Sequence, residues 1–291
     1  MREYVRSRTV DCGEYVRVNN YPVRAVSKKR GAKKKPTSAA QEKLNAENAA
    51  HRLADLIHTN FTPDDLAVHL TYREDYMPET VADAMRLVYN YMRRICRLWQ
   101  KKTGGEKKDF RWIAVCEKSS TGRIHHHCVI TGGLSIAEIS DKWGMGHTST
   151  KALEFDECGL VGLSRYITKS RISYRRWQAS KNLQNPAVRE NDYKIRKRDA
   201  KYIIDNPDDA WFIEQLHPGY KLTPGSVKIM GENEFGAGYF ISYMLYRADN
   251  SNFEYDRWGR LHQKRKNTDR GNESGKRAGA GKRDQSNTNR R

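Results

Sequence analysis

The chain has 291 residues, enough for one large or two small domains with a sizeable buried core. It carries 54 lysines and arginines against 35 aspartates and glutamates, and a net charge of +19 favours a polyanionic partner, nucleic acid first. No apolar run approaches the roughly 18 residues of a membrane span, and the N-terminal residues lack the apolar core of a signal peptide, so we expect a cytoplasmic protein without a membrane partner.

The composition divides the chain into four predicted parts. A basic run at 28–36, "KKRGAKKKP", cannot pack into a core and precedes a stretch of strong helix formers at 37–59. From residue 262 onward Gly, Asn, Ser and basic residues dominate, which indicates disorder. We predict a basic arm with an N-terminal helix, a main domain, a C-terminal extension and a disordered basic tail, at 1–59, 60–180, 181–261 and 262–291 respectively.

Apolar spacing in the main domain predicts elements in the order β-α-β-β-α-β-α. A period of two at 65–72 predicts a strand, and apolar residues at helical spacing over 78–102 predict a helix. Two strand-like runs joined by "SSTG", at 109–118 and 123–131, predict an antiparallel hairpin. A short helix, a strand and a longer helix follow, at 135–143, 144–155 and 158–170. This order predicts an α+β fold with a ferredoxin-like, RRM-like antiparallel sheet.

The extension carries a weaker signal. The segment "DYKIRKRDAKYIIDN" at 192–206 predicts a helix, and "GAGYFISYMLYR" at 236–247 predicts a late strand. We expect that strand to join the edge of the same sheet.

The segment "CEKSSTGRIHHHCVITG" at 116–132 places three consecutive histidines in one predicted strand. Because side chains alternate across a strand, His125 and His127 share one face and His126 points to the other. Two imidazoles separated by one residue are close enough to share a divalent ion. Folding the hairpin at "SSTG" brings Glu117 beside them. Two imidazoles and one carboxylate leave positions on Mg²⁺ or Mn²⁺ open for a phosphate.

A tyrosine and a lysine three residues apart lie on the predicted helix that follows. The phenol of Tyr166 is a weak nucleophile at neutral pH, and the cation of Lys169 would lower its pKa or hold a substrate phosphate. We interpret Tyr174 as a packing or phosphate-contacting residue rather than a second nucleophile. His69 and His147 are interpreted as strand residues near the site rather than as metal ligands.

Taken in order, the strand "LAVHLTY", the strand with a glutamate, the His-x-His strand and the helix with Tyr-x-x-Lys resemble the HUH endonucleases. The resemblance is to the single-tyrosine rolling-circle replication initiators (Rep proteins) of plasmids, phages and small DNA viruses, and it covers about residues 60–172. It implies a metal site, a nucleophile and an assisting cation, formed by Glu117, His125 and His127, by Tyr166 and by Lys169 respectively.

The chain departs from the family between its two histidines. The family usually has a bulky apolar residue there, and this chain has His126, so a register built on His126 has to be excluded. The apolar residues that follow His127, Val129 and Ile130, favour the register with His125 and His127.

The resemblance implies nicking and rejoining of single-stranded DNA at a replication origin through a 5′-phosphotyrosine intermediate. A host helicase and polymerase would be partners, because the chain has no GxxxxGK[ST] motif. One alternative is a relaxase or a single-tyrosine transposase of the same superfamily, although such transposases tend to have glutamine where Ser170 stands. Another is a non-catalytic nucleic-acid-binding protein, although the corresponding strand offers His and Cys instead of exposed aromatic residues.

Overall fold

The computed structural model describes residues 3–24, 39–155, 159–167, 176–231, 239–248, 253–255 and 261–263. The α-helices of these segments are α1 (Ala39–Asn60), α2 (Val81–Thr103), α3 (Ile136–Trp143), α4 (Val161–Ile167), α5 (Lys197–Asp205) and α6 (Ala210–Gln215). Their strands are β1 (Glu3–Asp11), β2 (Tyr15–Arg24), β3 (Leu66–Thr71), β4 (Trp112–Lys118), β5 (Ile124–Ile130), β6 (Thr148–Ala152), β7 (Gln178–Ala179), β8 (Ala187–Asn191), β9 (Tyr220–Leu222), β10 (Lys228–Met230), β11 (Phe240–Arg247), β12 (Phe253–Tyr255) and β13 (Leu261–Gln263).

Three predicted features lie outside the described residues. These are the basic run at 28–36, the pair Lys169 and Tyr174, and the predicted tail apart from its first two residues, which belong to β13. Within the described segments, none of the helices is long and apolar enough to cross a membrane.

The three histidines lie in an antiparallel sheet with the strand order β6-β3-β5-β4-β7. Helix α2 connects β3 to β4, a hairpin connects β4 to β5, and α3 connects β5 to β6. The hairpin turn is closed by hydrogen bonds from Gly122 N to Ser119 O and from Ser119 N to Arg123 O, both 2.9 Å. The first four strands of this order reproduce the arrangement of a ferredoxin-like sheet, so the predicted α+β fold is confirmed.

One face of this sheet packs against α2 and α3. Helix α2 begins at Thr80, whose hydroxyl accepts a hydrogen bond from Asp83 N, and its buried stripe runs from Met85 to Trp99, as the apolar spacing predicted. From the sheet, alternate residues such as Leu70 and Cys128 enter the same cluster. Each such fully buried apolar side chain contributes about 1.5–3 kcal/mol to the free energy of unfolding.

The opposite face of the sheet packs against α1 and α4. Val115 and Val129 of the sheet share a buried cluster with Ile57 of α1 and with Leu160 and Val161 at the start of α4. Since side chains at alternate positions share a face, this is the face that also carries Glu117, His125 and His127.

A second sheet joins the two ends of the described chain. Its order is β10-β11-β2-β1-β8, with β9 paired to the far end of β11. The sequence patterns did not predict β1 and β2. The late strand β11 is not at the edge of the histidine sheet, so that expectation was wrong; the edge position beside β4 belongs to β7. Ile241, Tyr243 and Leu245 of β11 instead pack with Val18 and with Ile203 of α5 in a separate core.

Candidate functional site

The backbone register of β5 separates the three histidines. His126 is fully buried on the face that packs against α2 and α3, where its Nε2 lies 2.8 Å from the hydroxyl of Tyr72. Burial lowers the pKa of His126 to about 3, so this imidazole is neutral at physiological pH. His125 and His127 lie on the other face, half-buried. The strand geometry therefore excludes the register built on His126.

His69 joins these two histidines from the neighbouring strand. β3 pairs with β5 so that His69 lies directly opposite His127. Candidate ligand atoms of His69, His125 and His127 all lie within 4.8 Å of one another. The rings of His69 and His127 are stacked, with centroids 4.6 Å apart, and the ring of His125 lies edge-on to both at 5.2 Å.

Glu117 approaches the same cluster from β4. It pairs directly with His125 in the hairpin, as the sequence predicted, and it is only 6% exposed. Its Oε2 lies 3.7 Å from Nε2 of His125 and 3.5 Å from Nε2 of His127. Three central strands of the sheet thus bring together three imidazoles and one carboxylate, a donor set that can hold a divalent cation.

The electrostatics of the cluster favour neutral imidazoles at two of its positions. Burial, followed by the neighbouring His69 and His125, lowers the pKa of His127 to about 4. Burial also lowers the pKa of His69. The hydrogen bond with Glu117 is the main cause that raises the pKa of His125. A neutral imidazole is the form that binds a metal, so His69 and His127 are ready to act as ligands at neutral pH.

Reasoning from the sequence missed His69 as a member of this cluster. The signal was present, because Leu66, Val68 and Leu70 mark the core face of β3 and leave His69 on the other face. The ferredoxin-like order then places β3 beside β5. His147, by contrast, has an exposed side chain, and its carbonyl oxygen accepts a hydrogen bond from Thr71 N at 3.0 Å.

Helix α4 begins on the histidine face of the sheet, in a fixed position. The amide of Leu160 donates a 2.7 Å hydrogen bond to Nε2 of His58, which is buried in α1. Gly159 has a φ of +64°, and a Cβ at this position would overlap the His58 ring. Only glycine allows this close approach, so Gly159 and His58 together set where α4 starts. Tyr166 belongs to α4, and Lys169 lies beyond the described part of this helix.

Residues 65–171 match the model of a family of replication-associated proteins, described as the ORF2 type. The match confirms the resemblance to replication initiators over this segment, which begins beside β3 and ends after α4. Every residue of the histidine cluster, Glu117, Tyr166 and Lys169 fall within it. Neither the comparison with curated proteins nor the comparison with solved structures gave a significant match.

Proposed function

Since residues 65–171 are similar to replication-associated proteins, we propose that this protein nicks and rejoins single-stranded DNA to initiate rolling-circle replication. One observation carries the proposal: three imidazoles and a carboxylate lie together on the sheet face where α4 begins. A purely binding protein has no need of such a cluster, whose members are polar groups withdrawn from solvent.

His125, His127 and Glu117 would hold a divalent cation, with His69 as a further ligand. The cation would be Mn²⁺ or Mg²⁺, and when bound it would withdraw charge from the scissile phosphate. Three imidazoles are a softer donor set than the all-oxygen ligands that Mg²⁺ prefers. We therefore expect Mn²⁺ to support the reaction better than Mg²⁺.

Tyr166 would be the nucleophile. Its phenolic oxygen loses a proton and forms a bond to phosphorus, while the bond from phosphorus to the 3′ oxygen breaks and that oxygen gains a proton. The products are a 5′-phosphotyrosine link and a free 3′-hydroxyl, which can prime synthesis by a host polymerase. Lys169 would stabilise the phenolate or the phosphate. The reverse steps rejoin the strand without ATP.

A nicking assay on single-stranded origin DNA tests this function. We expect cleavage with Mn²⁺ and none with EDTA. His125→Ala and His127→Ala should reduce cleavage by several orders of magnitude, and His69→Ala should reduce it by less, because three of the four ligands remain. His147→Ala is the matched control, an exposed histidine outside the cluster, and should cleave at the wild-type rate. Wild-type cleavage by the His125 and His127 variants in EDTA would refute the metal mechanism.

A further inference from the structure

A surface in the second sheet, far along the chain from the histidine cluster, presents an exposed aromatic ring. The edge strand β8 is followed by a short loop that leads into α5. The loop contains Tyr193, which is 93% exposed, the most exposed of the large hydrophobic residues in the described segments. A ring that gains so little from packing within its own chain is available to a partner.

The loop that carries Tyr193 is anchored on both sides. The amide of Tyr193 donates a 2.8 Å hydrogen bond to Oδ1 of Asn191. Asp192 accepts two hydrogen bonds from the guanidinium of Arg6, at 2.6 and 3.0 Å. Two residues further on, Ile195 is only 2% exposed. The ring is therefore held out by a fixed backbone rather than by a loose one, which reduces the entropy lost when a partner binds.

The surface around Tyr193 is basic. Arg196, Arg198 and Lys201 are exposed at the start of α5, and Arg189 is exposed on β8. On α5, Arg198 and Lys201 are three residues apart and share the face opposite buried Ile203.

The neighbouring carboxylates are already occupied. Glu190 lies 3.1 Å from Arg6 and 3.6 Å from Arg8, and Asp192 is held by Arg6. Asp199 accepts a hydrogen bond from Arg196 N at 3.0 Å and lies 3.3 Å from Nε of Arg198. An exposed pair of this last kind is weak, so it leaves Arg198 able to bind an anion.

We propose that Tyr193, Arg196, Arg198 and Lys201 form a second DNA-binding surface, specific for single strands. A base stacks on the Tyr193 ring, and the cations of α5 bind the adjoining phosphates. Proteins that bind single strands without sequence preference combine these two features, an aromatic platform and a basic track. The surface lies outside the segment that matches the replication-associated family, and it needs neither a metal nor an origin.

Binding of a fluorescein-labelled oligothymidylate in EDTA tests the surface apart from any nicking. Tyr193→Ala should weaken binding about tenfold, whereas Tyr193→Trp, which keeps a stacking ring, should bind at least as tightly as wild type. Tyr89→Ala is the matched control, since Tyr89 is exposed on α2 and should not affect binding. Because Tyr193 is so exposed, we expect all three variants to keep the wild-type melting temperature.

The salt dependence tests the basic part of the surface. Arg198→Ala with Lys201→Ala should reduce the slope of log K against log salt by about 1.4, since each phosphate contact on a single strand contributes ~0.7. Lys101→Ala with Lys107→Ala removes the same charge elsewhere and should leave the slope unchanged.

Three results would overturn the proposal: an unchanged affinity for Tyr193→Ala, an equal loss for Tyr193→Trp, or the same dependence on Tyr193 for a blunt duplex. Tyr166→Phe should bind the oligothymidylate as wild type does. A wild-type protein that fails to nick but shows the predicted Tyr193 effect would refute the nicking function alone.

Discussion

At the scale of single residues, the three consecutive histidines have two different roles. His126 is a core residue, hydrogen-bonded to Tyr72 and in edge contact with the Trp143 ring. His125 and His127 are surface-facing members of the polar cluster. The alternation of one strand is enough to separate a structural imidazole from two that can bind a cation.

We predict opposite effects for the two kinds of histidine. His126→Ala leaves a cavity and an unpaired Tyr72 hydroxyl, and should reduce the free energy of unfolding by about 2–4 kcal/mol while Mn²⁺ binding is retained. His127→Ala should abolish tight Mn²⁺ binding with a much smaller change in stability. Calorimetric titration with Mn²⁺ and urea unfolding measure the two quantities. Loss of Mn²⁺ binding in folded His126→Ala would contradict the assignment.

His58 predicts a pH dependence of stability. Burial lowers its folded-state pKa to about 4, from an ordinary value of 6.5, and its Nε2 accepts the Leu160 hydrogen bond only when neutral. The neutral form is favoured in the folded state, so its contribution is fully present above pH 6.5 and is lost as the pH falls towards 4. The expected loss is roughly 2–4 kcal/mol in urea unfolding. His58→Gln should flatten this part of the pH profile, and an unchanged profile would contradict the prediction.

At the scale of elements, local patterns predicted what local physics determines. The strands β3, β4 and β5 and helix α2 lie within a few residues of their predicted bounds, because their apolar spacing matches one core. The partner of β11 could not be predicted, because pairing with β2 joins Ile241 to Asn20 across more than two hundred residues. His69 required the same kind of information, namely which strand lies beside β5.

The start of α4 gives a prediction at this scale. Gly159→Ala should destabilise the protein by more than Gly144→Ala. The two glycines have nearly equal φ angles, +64° and +65°, but a Cβ at Gly144 meets nothing within 4 Å. The shared strain costs about 1–2 kcal/mol, and the excess for Gly159→Ala measures the contact with His58. Because α4 carries Tyr166, nicking should also slow in this variant alone. Equal destabilisation of both variants would show that the contact is unimportant.

At the scale of the whole molecule, the two ends of the chain depend on each other. β1 and β2 lie between β11 and β8, so the N-terminal residues complete the sheet of the C-terminal extension. Tyr15 of β2 stacks on His58 of α1, with ring centroids 4.7 Å apart, and Arg17 forms a salt bridge with Asp55. The second sheet is thereby linked to the helix that packs on the histidine face.

Deletion of residues 1–24 should therefore unfold the extension. Without β2, the apolar side chains Ile241, Tyr243 and Leu245 lose part of their core and β11 gains an open edge. We expect limited proteolysis to cut rapidly within 187–247, while the segment from β3 to β6 is cut more slowly. A protease-resistant extension in the deletion variant would contradict this dependence.

The attachment point of DNA tests the central claim most directly. Wild-type protein incubated with single-stranded origin DNA and Mn²⁺ is denatured, digested and mapped by mass spectrometry. We predict one nucleotide-bearing peptide, with the phosphate on Tyr166, and no adduct for Tyr166→Phe, which retains the fold and DNA binding. A nucleotide on Tyr174, or the absence of any denaturant-resistant adduct, would contradict the account.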